Sequence, residues 1–219
     1  SIFVQTVCDY PLTEAIHQNI VKNIEVPDKK SRDKLQDYPS TKFSEKWKDY
    51  IDLGYQEWKK SYDFHQKTKK KATFFIMTDD TENCDDVSRF LENNYDDLKG
   101  QILTIHTKNN GDLYEKSSDL KSSKSKEDLK KLRENANSVD NYDNPYKAIV
   151  SVLMLKEGWD VNNVTTIVGL RPYEKPKILP EQTLGRGLRK MYRDSNLKER
   201  LTVVGTPNFM EFASELQKE

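Results

Sequence analysis

The sequence predicts an α/β domain in which helices cover both faces of a mainly parallel sheet. The first observation is a series of short apolar runs bounded by turn residues, which indicates strands buried on both faces. The second is that helical patterns separate these runs, as the crossover connections of a parallel sheet require. The runs are "ATFFIMTDD" (72–80), "GQILTIHTK" (100–108), "YKAIVSVLML" (146–155), "VTTIVGL" (164–170) and "RLTVVGT" (200–206).

The predicted helices are mostly short, with one exception. Short helices are predicted at 11–19, 86–95, around 126–136 and at 207–217. The long one covers 43–70, where apolar residues recur at three-, four- and seven-residue steps and form an amphipathic stripe. The residues of this stripe are Trp47, Ile51, Trp58, Tyr62 and His65.

The remaining segments set the predicted domain organisation. "IFVQTVCDY" (2–10) is rich in β-branched and aromatic residues and is predicted to be a strand. We therefore expect a linker and strand entering the domain at 1–26. A polar loop and the long amphipathic helix, as an insertion, fill 27–72, and the sheet domain fills 73–219.

Composition excludes several classes of function. Lys and Arg number 36 and balance 36 Asp and Glu, so the chain is not a globally basic nucleic-acid binder. Two cysteines without CxxC spacing and three histidines make a zinc site improbable, and no metal site is predicted. No apolar run reaches the length of about 18 residues that indicates a membrane span. The low cysteine content fits a cytoplasmic protein.

The stretch "ILPEQTLGRGLRKMY" (178–192), named here the Gly-Arg segment, carries the most specific signal. It has the pattern of a short helix that Pro180 begins and Glu181 stabilises at the positive end of the dipole. Yet it contains Gly185 and Gly187, and each glycine costs about 1 kcal/mol relative to alanine inside a helix. The glycines therefore need a reason, and a ligand close to the backbone would supply one.

A helical projection of the Gly-Arg segment gives two faces. Leu184, Leu188 and Met191 form the predicted core face. Gln182, Gly185, Arg186 and Arg189 form the other face. Guanidinium groups are forked donors that match phosphate oxygens, so this second face suits a phosphate ligand. A basic surface helix with a glycine kink is the alternative.

These residues resemble known motifs. "QTLGRGLRK" (182–190) resembles motif VI of superfamily-two helicases, "VSVLMLKEGWDVNNV" (150–164) resembles their motif V, and "ATFFIMTDD" resembles motif IV. The amino-acid sequence of 145–192, with "DYPLTEAI" before it and "VVGTPNF" after it, is most similar to the restriction subunit of type III restriction enzymes. The resemblance implies a RecA-like fold and, within it, the second of the two RecA-like domains of an ATP-dependent DNA translocase.

The resemblance also implies an ATP site between two domains. Arg186 and Arg189 match the motif VI arginines that approach the γ-phosphate, one of them as the arginine finger. Gln182 matches the residue that helps to organise the γ-phosphate and the attacking water. A guanidinium at this place stabilises the charge of the transition state of phosphoryl transfer.

Further ATP-binding residues follow from the same match. Gly158 and Asp160 match the motif V pair, which brings backbone close to the nucleotide and a carboxylate close to the ribose. Gly185 of motif VI leaves room for the nucleotide. Gly158 could instead be an ordinary turn glycine, and Asp160 could cap a turn.

DNA contacts are implied in loops that follow strands. Superfamily-two domains bind the phosphate backbone there, and His106, Thr107 and Lys108 begin the loop stretch "HTKNNGD" (106–112) at the end of a predicted strand. Ser151 lies at the start of the motif V segment. His106 could instead be structural. The lysines of 67–71 and the acidic run 79–86 are read as solvated surface.

The motifs that the chain lacks decide the enzyme question. It has no GxxxxGK loop followed by Ser or Thr and no DExx carboxylate pair, so it cannot assemble an ATPase site alone. A nuclease motif of the PD…(D/E)xK type is rejected, because its two halves, Pro27-Asp28 and Asp128-x-Lys130, are too far apart in the sequence. ATP and Mg²⁺ are expected only with the first RecA-like domain of the same polypeptide. Double-stranded DNA and a modification methyltransferase subunit are the other expected partners.

One alternative function is kept from a different class. The chain could be a stand-alone RecA-like adaptor that binds nucleic acid or protein without catalysis.

Overall fold

A computed structural model describes residues 12–106, 123–152, 161–170, 184–185, 187–192 and 195–218. Within these ranges six parallel strands form one sheet in the order β1-β6-β5-β2-β4-β3. The strands are β1 (Asn23–Glu25), β2 (Thr73–Met77), β3 (Ile102–Ile105), β4 (Ala148–Ser151), β5 (Val164–Gly169) and β6 (Arg200–Gly205). The predicted α/β fold class, a mainly parallel sheet with helices on both faces, is confirmed by this arrangement.

Helices connect the strands. They are α1 (Leu12–His17), α2 (Lys29–Arg32), α3 (Phe43–Lys46), α4 (Lys48–Gln66), α5 (Thr81–Asn94), α6 (Ser123–Asn137) and α7 (Pro207–Lys218), with a 3-10 turn at Asp96–Leu98. The long helix predicted at 43–70 is divided at Trp47 into α3 and α4 and ends at Gln66. The predicted helices near 126–136 and 207–217 are present as α6 and α7.

The two faces of the sheet are covered by different helices. Phe75 and Met77 of β2 pack in a core with α1, α6 and α7. Phe74 and Ile76, which point to the opposite face, pack in a second core with α3, α4 and α5. All five residues of β2 are buried, as the continuous apolar run predicts.

Helix α4 lies directly on the sheet at a glycine. A Cβ atom built on Gly54 would stand 2.2 Å from Cγ2 of Val168 and 3.3 Å from the ring of Phe74. One turn further on, Trp58 is fully buried, stacks on Phe74 and donates its indole N–H to the carbonyl oxygen of Ala72 at 3.0 Å. The predicted stripe of α4 is therefore the surface that covers β2, β5 and β6.

Two further elements differ from the sequence prediction. Strand β1 lies within 1–26, the predicted linker and strand entering the domain, but it is not the strand predicted at 2–10. Its three residues are too few to show a periodicity. It is a strand because it pairs with β6, with Asn23 opposite Arg200. Helix α5 begins five residues before its predicted start at Asp86, because the side chain of Asp80 caps it by accepting the N–H of Asn83 at 2.8 Å.

Two further findings bear on the sequence predictions. The strand predicted at 2–10 lies outside the described residues. No helix in the described ranges is long and apolar enough to cross a membrane.

The close approach at Gly54 gives a testable prediction. Gly54→Ala should lower the free energy of unfolding by about 1–3 kcal/mol, because overpacking outweighs the helix preference of alanine. Val168→Ala removes the methyl group that the new Cβ would meet. In urea denaturation the double variant should therefore lose less than the sum of the single losses. Wild-type stability for Gly54→Ala would contradict the packing described.

Candidate functional site

The sheet changes the direction of its connections between β2 and β5. The chain leaves β2 through α5, which lies on one face, whereas the residues Leu184 and Leu188 that follow β5 pack on the other. The carboxyl ends of β2 and β5 are adjacent, since Leu170 donates its N–H to the carbonyl oxygen of Met77 at 2.9 Å. In open α/β sheets ligands bind at such a topological switch point.

His106 and Ser151 lie at this carboxyl edge, since His106 follows β3 and Ser151 ends β4. The strands that carry them are paired, with Ile105 opposite Ser151. His106 Nε2 lies 2.8 Å from Oδ1 of Asp85 on α5, so the imidazole already has a carboxylate partner. The side chain of Ser151 is fully buried, and the described structure gives DNA no access to it.

The acidic run 79–86 is occupied by structural contacts rather than solvated throughout. Asp80 caps α5, Asp79 accepts the side-chain amide of Asn83 at 2.6 Å, and Asp86 accepts the N–H of Ser44 at 2.8 Å. No group of three or more potential metal ligands occurs in the described part of the chain. These carboxylates therefore serve the junction of α5 with the sheet and with α3.

The two glycines of the Gly-Arg segment have different environments. A Cβ on Gly187 would stand 2.8 Å from Cδ1 of Ile167 and 2.9 Å from Cδ2 of Leu201, so this glycine allows the segment to lie close to the sheet. Packing explains Gly187 without a ligand, contrary to our expectation that a ligand accounts for both. Gly185 is exposed, and a Cβ there would meet nothing within 4 Å.

The predicted core face of the Gly-Arg segment is confirmed. Leu184 and Leu188 are 0% and 1% exposed and belong to the core that contains Ile167 and Leu201. Met191 is also buried. The segment is therefore fixed against the sheet along one side, while the side of Gly185 remains open.

The end of the Gly-Arg segment is anchored at the amino-terminal edge of the sheet. The backbone N–H of Lys22, directly before β1, donates to the carbonyl oxygen of Leu188 at 2.8 Å. The carboxylate of Glu199, directly before β6, accepts the N–H groups of Met191 and Tyr192 at 2.8 and 2.9 Å. Arg189 lies half-buried between these two anchors.

Several predicted site residues lie outside the described residues. They are Gln182, Arg186, Gly158, Asp160, Thr107 and Lys108. The structure thus brings together His106 and Ser151 at one edge, and it holds Gly185 and Arg189 on the segment that reaches the opposite edge.

Sequence reasoning missed Lys22 and Glu199. Both are buried, at 0% and 2% exposure, although charged residues are almost never fully buried unless paired. The available signal was weak: Lys22 interrupts the apolar stretch "IVKNI" (20–24), and Glu199 precedes a buried strand.

A cavity of about 450 Å³ lies at the amino-terminal edge rather than at the switch point. Its walls come from α4, β1 and the stretch before β6, and they include Phe64, Glu199 and Thr202. Two of its basic groups, Lys60 and Arg200, are paired with Glu57 and Glu25, and Lys198 also lines it. Among the described residues, neither Gly185 nor Arg189 lines this cavity.

Comparison with known proteins gives only distant structural likenesses. Neither a protein-family model nor a curated protein matches the chain. It is similar to domain 2 of the DEAD-box helicase Mss116p, solved with an RNA duplex, at 13% identity, with a TM-score of 0.41. The match covers 77% of this chain and 56% of that one.

Two further solved structures are similar at the same level. The C-terminal domain of Dbp5 from S. cerevisiae has 13% identity over 75% of this chain and 78% of that one, with a TM-score of 0.37. T4 UvsW has 19% identity over 84% of this chain and 32% of that one, with a TM-score of 0.32. TM-scores and identities this low support no inference about function, and the fold rests on the sheet itself.

The contrast between the two glycines can be tested by matched substitutions. Gly187→Ala should be less stable than Gly185→Ala by about 1–3 kcal/mol in urea denaturation, because only the first inserts a methyl group into a packed contact. Both variants gain the same helix propensity, so this contribution cancels. Equal stability of the two variants would contradict the packing of Gly187.

Proposed function

We propose that this chain is the second RecA-like domain of a superfamily-two, ATP-dependent DNA translocase, most like the restriction subunit of type III restriction enzymes. The observation that carries the proposal is the Gly-Arg segment. Its sequence resembles motif VI, its core side is fixed against the sheet, and Gly185 leaves open space on its other side.

Phosphate recognition is the chemistry that this open side would perform. Gly185 permits a close approach of a ligand to the backbone, since no side chain occupies that space. Arg189 and, in this proposal, Arg186 would direct guanidinium groups to the γ-phosphate of ATP, and Gln182 would orient the attacking water. The buried leucines fix the segment before the ligand arrives, so binding would cost little conformational entropy.

The second RecA-like domain supplies only part of an ATP site. In this proposal Gly158 and Asp160, which come after β4 in the sequence, approach the nucleotide. The phosphate-binding loop and the Mg²⁺-binding carboxylates come from a first RecA-like domain in the same polypeptide, because this sequence contains neither motif. ATP and Mg²⁺ would then be bound between the two domains.

The proposed DNA contact is at the carboxyl edge. His106, Thr107 and Lys108 follow β3 and are retained as candidates. Asp85 beside His106 brings a negative charge to that edge, so Lys108 is the better candidate for phosphate. Ser151 is not retained, because its side chain is buried. A modification methyltransferase subunit remains the proposed protein partner.

The proposal predicts the effect of removing one guanidinium. In the full polypeptide that contains this chain, Arg189→Ala should reduce ATP hydrolysis in the presence of double-stranded DNA by about 10³-fold or more. ATP binding, measured by titration calorimetry, should persist. The control is Arg133→Ala, because Arg133 is an exposed arginine of α6 and not part of the Gly-Arg segment.

Two outcomes would contradict this account. Undiminished turnover in Arg189→Ala would exclude the arginine-finger assignment. Absence of DNA-stimulated hydrolysis in the wild-type polypeptide would exclude the motor itself. In that case salt-dependent DNA binding by residues 1–219 alone would favour the adaptor function.

A further inference from the structure

Lys22 is a fully buried lysine with an unusual set of partners. Its ammonium group donates to the carbonyl oxygens of Asn162 at 2.7 Å, Val164 at 2.6 Å and Gly187 at 3.2 Å. Three N–H donors thus meet three backbone acceptors, which is the full donor capacity of an ammonium group. No water is needed to satisfy the group, and its side chain has 0% exposure.

These three acceptors come from the two segments that resemble helicase motifs. Asn162 and Val164 lie at the end of the motif V segment, where β5 begins. Gly187 lies in the Gly-Arg segment, and the backbone N–H of Lys22 also reaches the carbonyl oxygen of Leu188. The last carbonyl groups of a helix lack partners within the helix, and a cation is favourable beside them. One side chain therefore joins both segments.

Glu199 holds the same stretch from the other side. Its carboxylate accepts the N–H groups of Met191 and Tyr192, and its backbone oxygen accepts the N–H of Asn23 at 2.8 Å. Burial lowers the pKa of Lys22 to about 7, while the charge of Glu199 acts to raise it. Lys22 and Glu199 thus bind the backbone of the Gly-Arg segment on either side of Arg189, at Gly187 and at Met191 and Tyr192.

We propose that Lys22 and Glu199 are positioning residues that set the place of Arg189 relative to the motif V segment. The inference rests on the proposed function, because it concerns the geometry of the same phosphate site. Charged side chains in a protein interior are a poor source of stability compared with apolar packing. Lys22 and Glu199 instead bind backbone groups on both sides of Arg189, and these hydrogen bonds fix the position of Arg189.

The test uses the same substitution at two buried lysines. Lys22→Met removes the ammonium group and its three hydrogen bonds. Lys71→Met is the matched control, because Lys71 is 5% exposed, lies at the same edge of the sheet and donates to the carbonyl oxygen of Asn144 at 2.6 Å. Among the described residues, the hydrogen bonds of Lys71 reach Asn144 and Asn163, and none reaches the Gly-Arg segment.

Two readouts separate positioning from general stability. In residues 1–219, backbone amide exchange at 187–192 should become about tenfold faster in Lys22→Met and remain unchanged in Lys71→Met, under conditions where both variants are folded. In the full polypeptide, Lys22→Met should lower kcat for ATP by about tenfold to a hundredfold at unchanged KM, because a displaced arginine acts mainly in the transition state.

The outcomes distinguish this inference from the proposed function. A wild-type polypeptide without turnover contradicts the proposed function. A wild-type polypeptide with turnover, together with a Lys22→Met variant of unchanged kcat, contradicts the positioning role alone. If Lys22→Met does not fold, Glu199→Gln provides the same test, because it keeps an acceptor oxygen but removes the charge. It should then lower kcat in the same direction.

Discussion

The need to cover both faces of an all-parallel sheet is the constraint on which this structure depends. Every strand of such a sheet exposes apolar side chains on two sides, so helices must lie close on each. Glycine provides the approach on both faces: Gly54 brings α4 onto Val168, and Gly187 brings the Gly-Arg segment onto Ile167 and Leu201. The Gly-Arg segment therefore lies against the sheet because the sheet must be covered on this face.

Much of this architecture could be predicted from the sequence. Apolar runs identify β2 to β6, and in β2, β4 and β5 burial along the whole strand leaves no polar alternation in the pattern. The order of strands could not be predicted, since pairing partners are distant in sequence. Strand β1 was missed for a related reason: three residues carry no period, and only the pairing of Asn23 with Arg200 makes them a strand.

The candidate site was predictable in part. The core face of the Gly-Arg segment follows from helical spacing, and Leu184 and Leu188 confirm it. The packing of Gly187 depends on side chains from two strands, so it could not be predicted from the sequence of the Gly-Arg segment alone. The burial of Lys22 was not predictable, because a lysine is ordinarily exposed, and only the fold brings three carbonyl groups around its ammonium.

The central claim is that this domain supplies one half of an ATP site, and the gene around it tests that claim most directly. Sequencing on both sides of the segment should reveal, upstream, a strand followed by GxxxxGK and Ser or Thr, and then a DExx carboxylate pair. That result would place the phosphate-binding half in the same polypeptide. An open reading frame that starts directly before Ser1 and stops directly after Glu219 would contradict the account, because the motor would then lack its first half.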